Sequence, residues 1–179
     1  MPIGLSLVQI TQKLPPLQNQ TSERINTVGT VQVISQYSSY YTGAVQYTAP
    51  DGDYFAKITT TGCNLNSVSR TITLAEGQSL AGYAAFDAGD YMPYNDYADL
   101  YIEIYGQNWE LFYSDIATVG NYGETGWIYW EFVAPEAGVY TLYYGAENVR
   151  DCGVNSWALL DLVSCFDSDD DGLDRKSVV

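Results

Sequence analysis

The sequence predicts an all-β chain: a two-sheet antiparallel β-sandwich of jelly-roll type with about nine strands. Three observations lead there. Hydrophobic residues make up 46% of the chain but are strongly aromatic, with Tyr 17, Trp 4 and Phe 5, types that suit pleated, half-covered surfaces. Turn residues recur about every ten positions, the spacing of sandwich strands. No stretch carries a convincing apolar period of an amphipathic helix. At 179 residues the chain fits one domain, long enough to bury roughly two thirds of its unfolded surface.

Residues 1–27 contain Pro2, Pro15 and Pro16 and the polar run Gln18-Asn19-Gln20-Thr21-Ser22, so beyond a first strand near 5–11 they read as an extended segment. Such a strand either pairs at home or adds to a neighbouring copy of the chain. Residues 28–165 form the sandwich domain. Strands are expected over 28–37, over 53–60 after the Ala49-Pro50-Asp51-Gly52 turn, over 68–74 and over 79–86. In the next, Leu100, Ile102 and Ile104 alternate with Tyr101, Glu103 and Tyr105, which gives one apolar and one polar-aromatic face. Residues 109–113, 126–134 and 139–146 follow, and 156–164 is apolar enough to be a central strand. Residues 166–179 are an acidic tail or linker.

The formal net charge of −15 disfavours nucleic acid and anionic lipid as partners. His is absent, which removes His-based triads, the usual general base and the commonest zinc ligand. No run approaches the ~18 apolar residues of a membrane-spanning helix, and residues 1–10 lack the basic n-region and long apolar core of a secretion signal. The expected product is a binding protein, not an enzyme, with neither nucleic acid nor membrane insertion.

Of Cys63, Cys152 and Cys165, the last two flank one expected strand, whose length of about 40 Å at roughly 3.3 Å per residue forbids a bridge. Cys63 and Cys152, both in expected loops, are the better pair. A disulfide there would imply an oxidising, extracellular setting.

Residues 82–105 read as strand, acidic loop, strand. Asp87, Asp90, Asn95, Asp96 and Asp99 crowd there with Tyr91, Tyr94 and Tyr97. Oxygens this dense are either screened by water, with Asp and Asn capping turns, or gathered by a hard cation such as Ca²⁺; Asp151 and Asp161 would complete a set if their loops meet it. A second candidate is the tail, where Asp167, Asp169 and Asp171 precede Gly172 as in the opening of a calcium loop. Position 12 of that loop would be Val178, so the signature is partial, and a solvated linker is the other reading.

Tyr94, Tyr101, Tyr105, Trp109, Tyr113, Trp127, Tyr129 and Tyr143 form either a platform on which sugar rings stack their C–H faces or a mixture of core and interface residues. Glu103 and Glu131 are a conceivable acid pair for glycoside hydrolysis if they stand on neighbouring strands. Alternating Glu on an exposed face is also ordinary solubility patterning.

Several pieces, in order, resemble a broad class of bacterial secreted and surface domains similar to jelly-roll carbohydrate-binding modules. These are Ala49-Pro50-Asp51-Gly52-Asp53-Tyr54-Phe55-Ala56, Val68-Ser69-Arg70-Thr71-Ile72-Thr73-Leu74, Phe86-Asp87-Ala88-Gly89-Asp90-Tyr91-Met92-Pro93-Tyr94-Asn95-Asp96 and Gly126-Trp127. They continue in Ala137-Gly138-Val139-Tyr140-Thr141-Leu142, Glu147-Asn148-Val149-Arg150-Asp151 and Ser156-Trp157-Ala158-Leu159-Leu160-Asp161. The tail resembles the start of a thrombospondin type 3 array. The resemblance covers about residues 45–164 and implies the fold and an extracellular or cell-surface habitat. By analogy it implies Ca²⁺ and a carbohydrate or matrix polymer as ligand. Cys63 and Cys152 depart from its pattern, which is compatible with an added disulfide. The expected function is a calcium-stabilised adhesion module, or alternatively a structural subunit that self-assembles by strand addition.

Overall fold

The structure, a computed structural model, describes residues 25–166. Among them are twelve strands: β1 (Ile25–Val28), β2 (Thr30–Ile34), β3 (Gln36–Ser38), β4 (Gln46–Thr48), β5 (Phe55–Thr59), β6 (Leu65–Leu74), β7 (Ser79–Asp87), β8 (Tyr97–Ile104), β9 (Gln107–Asp115), β10 (Ile128–Val133), β11 (Gly138–Glu147) and β12 (Trp157–Phe166). One helical turn, α1 (Ile116–Val119), follows β9, capped by the Asp115 carboxylate accepting from Thr118 N. None of the described helices is long and apolar enough to cross a membrane.

Two antiparallel five-stranded sheets, ordered β1-β6-β11-β8-β9 and β10-β7-β12-β5-β2, pack face to face as a β-sandwich. Alternation in β8 sends Ala98, Leu100, Ile102 and Ile104 inward, where they meet Ala84, Phe86, Trp130, Phe132 and Leu160 of the other sheet in one core. β12 is central in its sheet, between β7 and β5, in keeping with its mainly apolar sequence, which Asp161 interrupts.

The count of twelve corrects the expected nine, and the difference lies mainly in residues 25–48. Residues 28–37 read as one strand, yet the chain turns at Gly29, whose φ of +76° is in the left-handed region. Asn66 occupies the space that a Cβ there would need, and its Oδ1 accepts from Thr30 N at 3.2 Å. β1 therefore ends on one sheet and β2 begins on the other. β3 leaves both and pairs with β4 in a separate ribbon. This ribbon sets Tyr47 against Phe55, Ala85 and Leu159, which explains why β7 is buried along nearly its whole length. Apolar periodicity reports which residues are covered, not which sheet covers them.

Residues 25–27, expected in the connector, already pair with β6. The strand near 5–11, its addition to another copy, and the tail residues Asp167, Asp169 and Asp171 lie outside the described residues. Cys63 and Cys152 are disulfide-bonded with Cα atoms 4.7 Å apart, and the bond spans 89 residues. It ties the β5–β6 loop to the β11–β12 loop at the end of the sandwich where the acidic residues collect.

Candidate ligand-binding site at the loop end

Four connections meet at that end: the β3–β4 hairpin, the β7–β8 loop, the segment from α1 to β10, and the β11–β12 loop. Hydrogen bonds lock them together. Ala88 N donates to Gly123 O at 2.9 Å and Tyr122 N to Asp90 O at 3.0 Å, while Met92 N donates to Asn121 Oδ1 at 2.9 Å. Gly89 N donates to Ser156 Oγ at 3.0 Å. The approach at Gly89 is so close that any Cβ would run into Asn155 O and the Trp157 ring. Thr42 Oγ1 reaches Glu124 Oε1 at 2.8 Å, joining the hairpin to the segment before β10.

The expected acidic set does not converge on one point. Asp87 braces the hairpin: its Oδ2 accepts from Tyr37 OH at 2.6 Å and from Tyr40 N at 2.8 Å. Burial raises its pKa against these two bonds. Asn95 serves α1, accepting from Ala117 N at 2.8 Å and donating to Asp115 Oδ2 at 2.9 Å. Asp99 is on the outer face of the first sheet, opposite Gly145 and Tyr113. Asp161 is in β12 and accepts from Asp51 N at 2.9 Å, away from the loop end.

Asp90 and Asp96 do come together. Both are fully buried; the charges of Asp90 and Asp151 both bear on Asp96, and that of Asp151 bears on Asp90. Burial pushes Asp96 up to about 6, although Ser156 and Val149 donate to it; it raises Asp90 as well. Among the described residues no three acidic, His or Cys side chains are placed to hold a metal ion.

The aromatic candidates also separate. Tyr105 sits at the opposite end, on the β8–β9 turn, 87% exposed. Trp109 faces inward onto Phe132, ring centroids 5.3 Å apart. Trp127 packs edge-on against Tyr47 and Phe55 while its indole N–H donates to Thr48 O at 3.0 Å. Tyr129 stands on the outer face of the second sheet beside Tyr83. Tyr101 stacks on Tyr143 at 4.8 Å, and Tyr97 on Tyr113 at 6.0 Å, both on the outer face of the first sheet. Glu103 and Glu131 project from different sheets, so the conceived acid pair does not exist.

What the loop end assembles instead is a continuous band of rings. Trp157 contacts Tyr40 at 4.5 Å, Tyr40 contacts Tyr41 at 4.9 Å, Tyr41 contacts Tyr122 at 4.5 Å, Tyr122 contacts Tyr91 at 5.8 Å, and Tyr91 contacts Tyr94 at 5.4 Å. Tyr40, Tyr41 and Tyr91 are 61%, 51% and 41% exposed, so their rings are available to a ligand. Of this band the sequence reading singled out Tyr94 for ligand contact and Tyr91 within the acidic loop, and missed Tyr40, Tyr41 and Tyr122. One signal was present: two adjacent tyrosines in the turn-like run Ser38-Ser39-Tyr40-Tyr41-Thr42-Gly43 cannot both enter a core. A separate cavity of about 250 Å³ between the sheets, lined by Phe55, Leu142 and Leu160 among others, is not part of this site.

The architecture defines the chain as an all-β sandwich domain. No family model matches the chain, and no curated protein matches it. Among solved structures it is similar to TmCBM61 in complex with β-1,4-galactotriose, at 15% identity over 82% of this chain and 88% of that one, with a TM-score of 0.41. It is also similar to a family 16 carbohydrate-binding module, at 13% identity over 74% and 84% of the two chains, with a TM-score of 0.39. A third is the K2 cleaved adhesin domain of Lys-gingipain, at 17% identity over 77% and 86%, with a TM-score of 0.42.

Proposed function

We propose that the chain is a non-catalytic extracellular binding module whose loop-end tyrosine band recognises a neutral carbohydrate or matrix polymer. The observation that carries this reading is the band itself: rings from loops far apart in sequence are held in mutual contact, with Tyr40, Tyr41 and Tyr91 exposed and Tyr122 half-buried between them. Exposed aromatics in contact cost solvation unless a partner covers them. Pyranose rings offer apolar C–H faces to tyrosine faces, and their hydroxyls find acceptors and donors in Asn121, Glu124 and Thr42 beside the band. A net charge of −15 favours a neutral polymer over an anionic one. The Cys63 to Cys152 disulfide suits an oxidising compartment.

The test is retention on affinity gels containing galactan, xylan, cellulose or chitin. The expected result is retention on one of them, weakened at least tenfold by Tyr40→Ala with Tyr122→Ala and unchanged by Tyr105→Ala. Equal retention of all three proteins, or no retention of any, would overturn it.

A further inference from the structure

We propose that Asp90, Asp96 and Asn148, completed by main-chain carbonyls and water, form a site for one Ca²⁺ ion beneath the tyrosine band. Two observations beyond the acidity of the loops point to a ligand. Asp90 is fully buried, with Oδ1 accepting from Tyr91 N at 2.8 Å, while its Oδ2 has no hydrogen-bond partner. Asn148, 1% exposed, donates through Nδ2 to Val154 O, and its Oδ1 also has no partner.

These acceptors belong to different loops, and Asp96 is tied to both: the Asp90 charge bears on it, and the residue after Asn148 donates to it. Its Oδ1 accepts from Val149 N, the residue after Asn148, at 2.9 Å. Its Oδ2 accepts from Ser156 Oγ at 2.7 Å. Buried acceptors left without donors cost free energy, and buried carboxylates near one another cost more. Among residues 25–166 the basic side chains are Lys57, Arg70 and Arg150. Lys57 Nζ sits 5.3 Å from the Tyr37 ring, Arg70 is on the inward face of β6, and Arg150 is exposed.

A hard cation answers all three groups at once. Ca²⁺ takes six to eight oxygens and mixes carboxylate, amide, main-chain and water donors, so two carboxylates and one amide are enough to begin its shell. Protonation is the other way to neutralise the two carboxyls, and the test separates the two. The site rests on the buried oxygens and stands apart from what the tyrosines bind.

The test uses the full chain. Tb³⁺ luminescence sensitised by the neighbouring tyrosines, Ca²⁺ displacement, and thermal unfolding in CaCl₂ and in EDTA are compared for the wild type, the near-isosteric Asp90→Asn, and the tail double variant Asp169→Asn with Asp171→Asn. The expected outcome is a Ca²⁺-raised midpoint and a Tb³⁺ signal in the wild type. Both persist in the tail variant, and Asp90→Asn weakens Ca²⁺ at least tenfold. A response kept by Asp90→Asn and lost in the tail variant would place the ion in residues 167–174 and overturn the site. Stabilisation by mild acid with no Ca²⁺ response would show protonated carboxyls instead, and would also overturn it. Polysaccharide retention is read separately, so its failure leaves this result standing.

Discussion

The hydroxyl of Ser156, at the threshold of β12, donates to Asp96 Oδ2 at 2.7 Å across 60 residues of chain and accepts from Gly89 N. Its main chain adds a second clasp: Ser156 N donates to Thr60 Oγ1 at 2.7 Å, and Ser156 O accepts from Thr60 N at 3.0 Å. One small residue thus fastens the acidic loop to two strand ends.

Replacing Ser156 with Ala would leave Gly89 N without its acceptor and Asp96 with one donor fewer, both inside the fold. The expected loss is about 2 kcal/mol, the usual cost of stranding buried polar groups. Urea unfolding checks it, and Ser156→Thr, which keeps the hydroxyl, should recover part of the loss.

Metal-free stability should depend on pH in a definite direction. Burial raises the pKa values of Asp87, Asp90 and Asp99, and pushes Asp96 up to about 6. Groups with raised folded-state pKa values hold protons that the unfolded chain has released, so stability is greatest below the ordinary carboxylate range and declines as pH rises through the raised values. In EDTA, melting midpoints should therefore fall between about pH 4 and about pH 6, and Asp96→Asn should flatten that slope. Asp115 acts with the opposite sign below this window: burial raises it, but Thr118, Asn95 and Tyr113 donate to it and together hold it low. Its contribution is lost only under stronger acid.

The ring contacts of the band should be energetically coupled. Tyr41 and Tyr122 come from loops about eighty residues apart in the chain and meet at 4.5 Å. A double-mutant cycle on unfolding free energy should return a coupling of about 0.5–1.5 kcal/mol, as for other aromatic pairs. Strict additivity would show that the rings touch without supporting one another.

Reducing the Cys63 to Cys152 bond opens a loop of 89 residues. On the loop-entropy account this costs about 4.6 kcal/mol. Denaturation with and without dithiothreitol should show the midpoint falling accordingly, with Cys63→Ser reproducing the reduced protein.

Much of the fold was legible because strands with one face in the core must alternate. Leu100, Ile102 and Ile104 announced β8, and the mainly apolar composition of β12 announced its central position. The switch of sheets at Gly29 was hidden, because a strand's covered face looks the same whichever sheet covers it. The candidate site was legible only in part. Local density singled out the 82–105 stretch as one acidic set, but Asp87, Asn95 and Asp99 serve separate tasks, since alternation and turn geometry send neighbouring side chains apart.

By itself the sequence determined the β-sandwich class, the acidic surface and the exclusion of His chemistry, all of which follow from composition and short-range periodicity. Tertiary structure alone decided that Tyr40, Tyr41, Tyr122 and Tyr91 form one band and that Val149 N and Ser156 Oγ, from far along the chain, meet Asp96. Those meetings depend on how four loops are brought to one end by strand pairings of long sequence separation, and no local pattern encodes a contact between residues that far apart.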